Sequence, residues 1–219
     1  MKQKIAIFSY SAPYLQRGDF SEEVTDIWIA FHGYGQLAKH FGRRFDVLDS
    51  TAHVVIIPQG LSMFYLDKEY KKVGASWMTK ENRMQAIHNQ YLYLDQIMEQ
   101  ISLQMQGRPY RLHLLGFSQG VATVCRWVSQ RAVRFDSLAL WAGKVPEELI
   151  LDSFTPAQKK GKLWMVVGDE DPLAPFLAIE EQRTKVMEWG FRVEEVNFEG
   201  GHEVKRDILK KLYLSDQNK

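Results

Sequence analysis

The sequence predicts an α/β fold with one largely parallel sheet and helices on both faces. Three observations carry that expectation. Short apolar, β-branched runs alternate with longer segments of helical period along the whole chain. No Pro/Gly/Ser-rich linker, internal repeat or low-complexity tract interrupts the 219 residues. A hydrophobic content of 45% against 25% charged residues can fill one substantial core and still solvate its surface. The expected unit is a single domain over residues 1–219, without a large cap.

In chain order, residues 4–9 and 25–31 read as strands, with a turn-rich stretch at 13–23 between them. Residues 36–48 have helical character. The β-branched run His53-Val54-Val55-Ile56-Ile57 is ended by Pro58 and reads as a buried strand. Over 82–104, Ile87, Tyr91, Leu94, Ile97, Met98, Ile101 and Met105 fall near a 3.6-residue period, and Gly107 with Pro109 stops the helix. Further strands are expected at 111–115, 137–141, 162–167 and 192–198, and further helices at 121–133, 173–189 and 203–214. In such an alternation the loops at the carboxyl ends of the strands form the site.

The most informative stretch is Leu112-His113-Leu114-Leu115-Gly116-Phe117-Ser118-Gln119-Gly120, an apolar run that ends in Gly-x-Ser-x-Gly and passes at once into a helical segment. A strand that turns this abruptly into a helix strains the residue at the corner and lifts its side chain clear of the sheet. Side chains at Gly116 or Gly120 would collide with the neighbouring strand and helix. Ser118 would then lie at a helix N-terminus, where backbone N–H groups favour negative charge. An ordinary N-cap serine is the competing reading of the pentapeptide taken alone.

Two later segments supply what a serine nucleophile lacks. The apolar strand Leu163-Trp164-Met165-Val166-Val167 runs into Gly168-Asp169-Glu170-Asp171-Pro172. The alternating strand Val193-Glu194-Glu195-Val196-Asn197-Phe198 runs into Glu199-Gly200-Gly201-His202. A serine hydroxyl needs an imidazole to accept its proton during attack, and a carboxylate to orient that imidazole and stabilise its cation. The expected roles are Ser118 as nucleophile, His202 as base and acid, and Asp171 as orienting acid. Asp169 and Glu170 compete with Asp171, which is preferred because it lies furthest from the strand end. The order Ser, Asp, His is that of α/β-hydrolases. For the oxyanion, Trp28-Ile29-Ala30-Phe31 leads into His32-Gly33-Tyr34-Gly35, whose small residues let backbone N–H groups approach a carbonyl. The expected donors are the N–H groups of Tyr34 and Gln119, with His32 as a structural residue.

Together, His32-Gly33-Tyr34-Gly35, Gly116-Phe117-Ser118-Gln119-Gly120, Gly168-x-x-Asp171-Pro172 and Gly201-His202 resemble the phospholipase/carboxylesterase family of α/β-hydrolases, which includes acyl-protein thioesterases. The resemblance runs from about Trp28 to His202, and implies a cofactor-free esterase or thioesterase with an α/β-hydrolase fold. Two features depart from it. Val121 stands where the family has a glycine or other small residue, and residues 60–80 are only loosely similar.

The resemblance implies a small-molecule ester or thioester as the partner. The net charge of +1 gives no field for nucleic acid or an anionic membrane. No apolar stretch approaches a membrane span, and the start Met1-Lys2-Gln3-Lys4-Ile5-Ala6 does not read as a signal peptide, so a cytoplasmic protein is expected. The single cysteine, Cys125, reads as a core residue. Histidines at 32, 40, 53, 88, 113 and 202 have no metal-ligand spacing, so no metal is expected. The apolar segment 58–80 is read as a wall of the acyl pocket or as packed core over the sheet edge. Phe64, Trp77, Met78, Trp141 and Leu173 are its substrate-binding candidates, and 67–72 is expected to be a solvated tip. A binding protein on a hydrolase fold and a small peptidase or amidase are the alternative functions.

Overall fold

The computed structural model describes residues 1–2 and 4–217, with side chains described as far as residue 213. In chain order the elements are β1 (Tyr14–Arg17), β2 (Asp26–Phe31), α1 (Ala38–Phe41) continuing as a 3-10 turn (Gly42–Val47), β3 (His53–Pro58), β4 (Ser62–Tyr65), β5 (Val73–Ser76) and α2 (Arg83–Met105). After these come β6 (Arg111–Phe117), α3 (Gln119–Arg131), β7 (Ser137–Trp141), β8 (Lys162–Gly168), α4 (Ala174–Leu177), α5 (Ile179–Glu188), β9 (Val193–Phe198) and α6 (Arg206–Gln217).

Seven strands make one sheet in the order β1-β3-β2-β6-β7-β8-β9. All neighbours are parallel except β1, which pairs antiparallel with β3 at the edge. The apolar runs of β2, β3 and β7 are continuous rather than alternating because every residue in them is buried, with helices over both faces. Their period of two still sorts side chains into two cores. Ile27, Ile29, Phe31, Leu112 and Leu114 pack with Leu94, Ile97 and Ile101 of α2 and Val124 of α3. Trp28, Ala30, Leu115 and Phe117 pack on the other face with Phe41, Phe45, Ile208 and Leu209. The apolar stripe expected on α2 faces the first core, and the helix ends in left-handed Gln106 (φ 51°) and Gly107 (φ 80°).

The structure departs from the sequence reading in four places. Residues 4–9 form no strand, and Ile7 is 98% exposed there. The edge strand is β1, inside the stretch that reads as turns. It is chosen by partners distant in sequence: Tyr14 lies opposite Pro58, and Arg17 Nη1 donates to the Leu48 carbonyl at 2.8 Å. The helix expected at 36–48 is one turn of α1 and a 3-10 turn, because Gln36 bridges to Ala75 instead. The helix expected at 173–189 is split into α4 and α5 at Ala178, whose φ is 48°. Residues 62–76 form an antiparallel hairpin, β4–β5, with Phe64 opposite Gly74. Its tip is solvated as expected, and the Asp67 carboxylate accepts from the backbone N–H groups of Lys71 and Lys72 at 2.8 and 2.9 Å.

Candidate active site

The corner between β6 and α3 is a single residue. Ser118 has φ 53° and ψ −116°, a strained conformation for a residue with a side chain, and its hydroxyl makes no capping hydrogen bond. The ordinary N-cap reading therefore fails. Close approach explains the flanking glycines: a methyl group at Gly116 would lie 2.7 Å from the Gly120 carbonyl oxygen, and one at Gly120 would lie 2.2 Å from that of Phe31 in β2. The Ser118 N–H donates to the Trp141 carbonyl at 2.9 Å, which fixes the corner against β7. Val121, the bulkier residue behind the corner, fits because Gly143 faces it, where a methyl group would lie 2.5 Å from Val121 Cγ2.

Two loops at the same edge bring the other groups. His202 Nδ1 lies 2.8 Å from Asp171 Oδ2, and Asp171 Oδ1 accepts from the Leu173 N–H at 2.8 Å. Asp171 is buried while His202 is partly exposed. With both carboxylate oxygens engaged, Nδ1 carries the proton and Nε2 is left with its lone pair. Asp169 bonds to the backbone instead. Its carboxylate accepts from the Gly200 N–H at 2.9 Å, and the Glu170 N–H donates to the Gly200 carbonyl at 3.0 Å. The acid loop thus holds the histidine loop through its backbone. On the far side, Trp141 Nε1 donates to the Glu203 carbonyl at 2.8 Å. The imidazole rests on Phe117, the residue before Ser118, with ring centroids 4.8 Å apart.

The loop after β2 abuts this corner, since a methyl group at Gly33 would lie 3.2 Å from Ser118 Cβ. The Gly33 N–H donates to Gln36 Oε1 at 2.9 Å, and the Gly35 N–H to the Ala75 carbonyl at 2.8 Å. Of these three consecutive N–H groups, only that of Tyr34 is not engaged among the described residues. The Gln119 N–H, at the first position of α3, has no intrahelical acceptor. His32 is buried and structural: Nε2 accepts from the Gly60 N–H at 3.0 Å while Nδ1 lies 2.8 Å from the Gly33 carbonyl. Burial pushes its imidazole down to about 4, only partly offset by that carbonyl, so the ring is neutral.

Among the substrate-contact candidates, Phe64, Met78 and Leu173 reach the surface. Leu173 is 40% exposed, and Phe64 packs on the exposed Tyr34 ring with centroids 5.2 Å apart. Trp77 and Trp141 do not belong with them. Trp77 is 1% exposed, wedged between Phe31 and His32, and Trp141 is fully buried under Phe198. Each sits at a strand end, as its sequence position suggests, yet each spends its indole N–H inward on a carbonyl, His32 for Trp77 and Glu203 for Trp141. The sequence reading also missed the Gln119 side chain, which bonds to Trp77 and Met78, and Lys144, whose Nζ sits 3.9 Å from the centroid of the exposed Phe176 ring. No spacing rule signals either contact. Cys125 is buried, and burial pushes its thiol up to about 12. Among the described residues, no group of three or more His, Cys, Asp or Glu side chains could hold a metal ion, and no helix is long and apolar enough to cross a membrane.

No protein-family model matches the chain. No curated protein matches it by sequence. Solved structures do. A phospholipase/carboxylesterase from Dyadobacter fermentans superposes with a TM-score of 0.68 at 18% identity, covering 98% of this chain and 100% of its own. Acyl-protein thioesterase 2 from Zea mays gives 0.69 at 13% identity, with 94% and 99% covered. A Bacillus cereus carboxylesterase gives 0.68 at 12% identity, with 94% and 93% covered.

Proposed function

We infer the function from the fold, which is the α/β-hydrolase fold. We propose that the chain is a single-domain serine hydrolase of the phospholipase/carboxylesterase type, which cleaves small-molecule carboxylic esters or thioesters through an acyl-serine intermediate. One observation carries this reading. Ser118 stands strained at a strand-to-helix corner with its hydroxyl unspent on the helix, and the preceding residue, Phe117, packs against an imidazole whose Nδ1 is held 2.8 Å from a buried carboxylate.

In the proposed reaction, His202 Nε2 takes the Ser118 Oγ proton as Oγ attacks the substrate carbonyl carbon. The carbonyl oxygen becomes an oxyanion, held by the N–H groups of Tyr34 and Gln119. Collapse breaks the bond to the alcohol or thiol, which leaves with the proton from His202. Water then attacks the acyl-serine with His202 again as base, the bond from Ser118 Oγ to the acyl carbon breaks as Oγ takes the proton back from His202, and the acid is released. Asp171 keeps Nδ1 protonated and stabilises the imidazolium without itself taking the proton. Each proton and charge is handled by these groups, so the chemistry asks for no cofactor or metal. Phe64, Met78 and Leu173, which all reach the surface, are the residues proposed to line the acyl or alcohol side. The names of the structural relatives, esterases and thioesterases, support the choice of bond. One buried cysteine fits a reducing, cytoplasmic compartment.

Labelling by a fluorophosphonate probe tests the proposal. The wild-type chain is expected to be modified at Ser118, and a folded Ser118→Ala variant to resist. A wild-type chain that resists the probe and cleaves no ester in a substrate panel would overturn it.

A further inference from the structure

The two oxyanion donors belong to separate elements. The Tyr34 N–H is on the loop after β2 and the Gln119 N–H opens α3, so something must set the distance between them. The segment Ser76-Trp77-Met78, at the end of β5 and with its first two residues buried, is bonded to both. Toward Tyr34, Trp77 Nε1 donates to the His32 carbonyl at 2.8 Å, and Ala75 exchanges backbone bonds with Gly35 and Gln36 at 2.8 and 3.2 Å. Toward α3, Gln119 Oε1 accepts from the Trp77 N–H at 3.0 Å, while Gln119 Nε2 donates to the Met78 carbonyl at 2.9 Å and to Ser76 Oγ at 3.0 Å. The side-chain amide thus presents one acceptor and one donor to consecutive residues, as a neighbouring strand would. Gln90 Nε2 donates to the Trp77 carbonyl, so the segment is anchored from a third side.

We propose that Trp77 and the side chain of Gln119 are positioning residues that fix the spacing of the two oxyanion donors. This rests on the serine-hydrolase reading and deepens it. Trp77 is buried and cannot line the acyl pocket, but its indole and backbone hold both halves of the donor pair. A donor pair stabilises the transition state only when both N–H groups sit at bonding distance from the oxyanion, which the planar ground-state carbonyl does not occupy. Loosening the segment therefore lowers turnover while leaving ground-state binding alone.

Trp77→Phe is the sharpest test, because it keeps an aromatic ring against Phe31 and His32 and removes the N–H. Hydrolysis of p-nitrophenyl butyrate is measured per phosphonate-titrated site, alongside inhibition by an arylboronic acid, whose tetrahedral adduct places an oxygen in the oxyanion position. The expected result is a kcat lowered about tenfold to a hundredfold, an almost unchanged KM, and boronate affinity weakened in parallel. Gln119→Met, which cuts the other half of the link, carries the same expectation and decides the matter should Trp77→Phe not fold. A raised KM at wild-type kcat, or no change in either variant, overturns the positioning role. A wild-type chain that resists the phosphonate fails at the earlier step: the hydrolase reading falls and takes the positioning role with it. Normal labelling with unaltered variants sinks the positioning role alone.

Discussion

The sheet brings a serine, a histidine and an aspartate to each of its two edges. At the carboxyl edge stand Ser118, His202 and Asp171. At the amino edge, His113 Nδ1 lies 2.7 Å from Ser137 Oγ, and His113 Nε2 lies 2.7 Å from Asp26 Oδ1. The inner group is the better bonded of the two. Asp26 Oδ2 also accepts from Arg111 Nη2 at 2.8 Å and Thr25 Oγ1 at 2.6 Å, and Trp28 stacks on His113 with centroids 4.6 Å apart. Yet it lacks the backbone features and the access a nucleophile needs. Ser137 lies at the start of a regular strand, paired in register with His113, with no strained corner and no helix N-terminus behind it. All three side chains are buried, so no substrate carbonyl could reach them. Side-chain identity and hydrogen bonds alone therefore do not separate the proposed site from a structural cluster; backbone strain, unengaged N–H groups and access do.

The largest expected effects come from exchanging roles between the two groups. Ser118→Ala should lower kcat for p-nitrophenyl butyrate by about 10⁴-fold or more with the thermal midpoint almost unchanged. Ser137→Ala should do the opposite, costing about 1 kcal/mol of stability and leaving turnover intact. Comparable activity losses in both would erase the distinction. The carboxylates sharpen it further. Asp171→Asn should reduce kcat about 10⁴-fold at modest cost to folding. Asp26→Asn should destabilise by about 3 kcal/mol or more, because it breaks a buried ion pair with Arg111, and should leave kcat per folded molecule unchanged. Urea titrations beside single-turnover assays separate these outcomes.

Buried titratable groups at both edges should also govern acid stability. Burial pushes Asp26 upward, but hydrogen bonds from His113, Arg111 and Thr25 outweigh it and hold the carboxyl below its usual range. His53, whose Nδ1 accepts from Trp28 Nε1 at 3.3 Å, is held low by burial, as is His32 at about 4. A histidine depressed in the folded state contributes stability that is complete above its unfolded pKa near 6.5 and is lost as pH falls toward its folded value. His32 alone should contribute on the order of 3 kcal/mol across that window. Asp26 adds a second loss only below about pH 4, where its unfolded carboxyl begins to bind protons. A urea midpoint that stays flat between pH 7 and pH 4 would contradict the neutral, buried assignment of these rings.

The carboxyl edge was legible in the sequence because its chemistry is punctuated: a strand ends, glycines follow, and a reactive residue stands between them. That local grammar located the corner at Ser118 and pointed to the loops that bring Asp171 and His202 together. The same grammar failed for the amino edge, where Asp26, His113 and Ser137 sit inside apolar runs with no local mark of their meeting. It failed equally for β1, which depends on a partner strand far along the chain, and for the residues 4–9 that alternate like a strand but find no edge to join. Trp77 and Trp141 were misplaced for a related reason. An aromatic at a strand end points either to the pocket or to the core, and only the acceptor of its N–H decides which.

That last distinction yields the smallest predicted effect. Phe64 is half-buried on the β4–β5 hairpin against Tyr34, while Trp77 lies in the core. A surface ring of this kind can shield part of an acyl chain, at up to about 0.8 kcal/mol for each methylene it covers. Its contact with the proposed donor residue is through the Tyr34 ring. Phe64→Ala should therefore raise KM a few-fold for butyrate and hexanoate esters, hardly at all for acetate, and leave kcat in place. Trp77→Phe should show the mirror image, with kcat falling at constant KM for every chain length. Should Phe64→Ala act equally on acetate and hexanoate, the hairpin does not cover the acyl chain, and Leu173 on the opposite rim becomes the contact to probe.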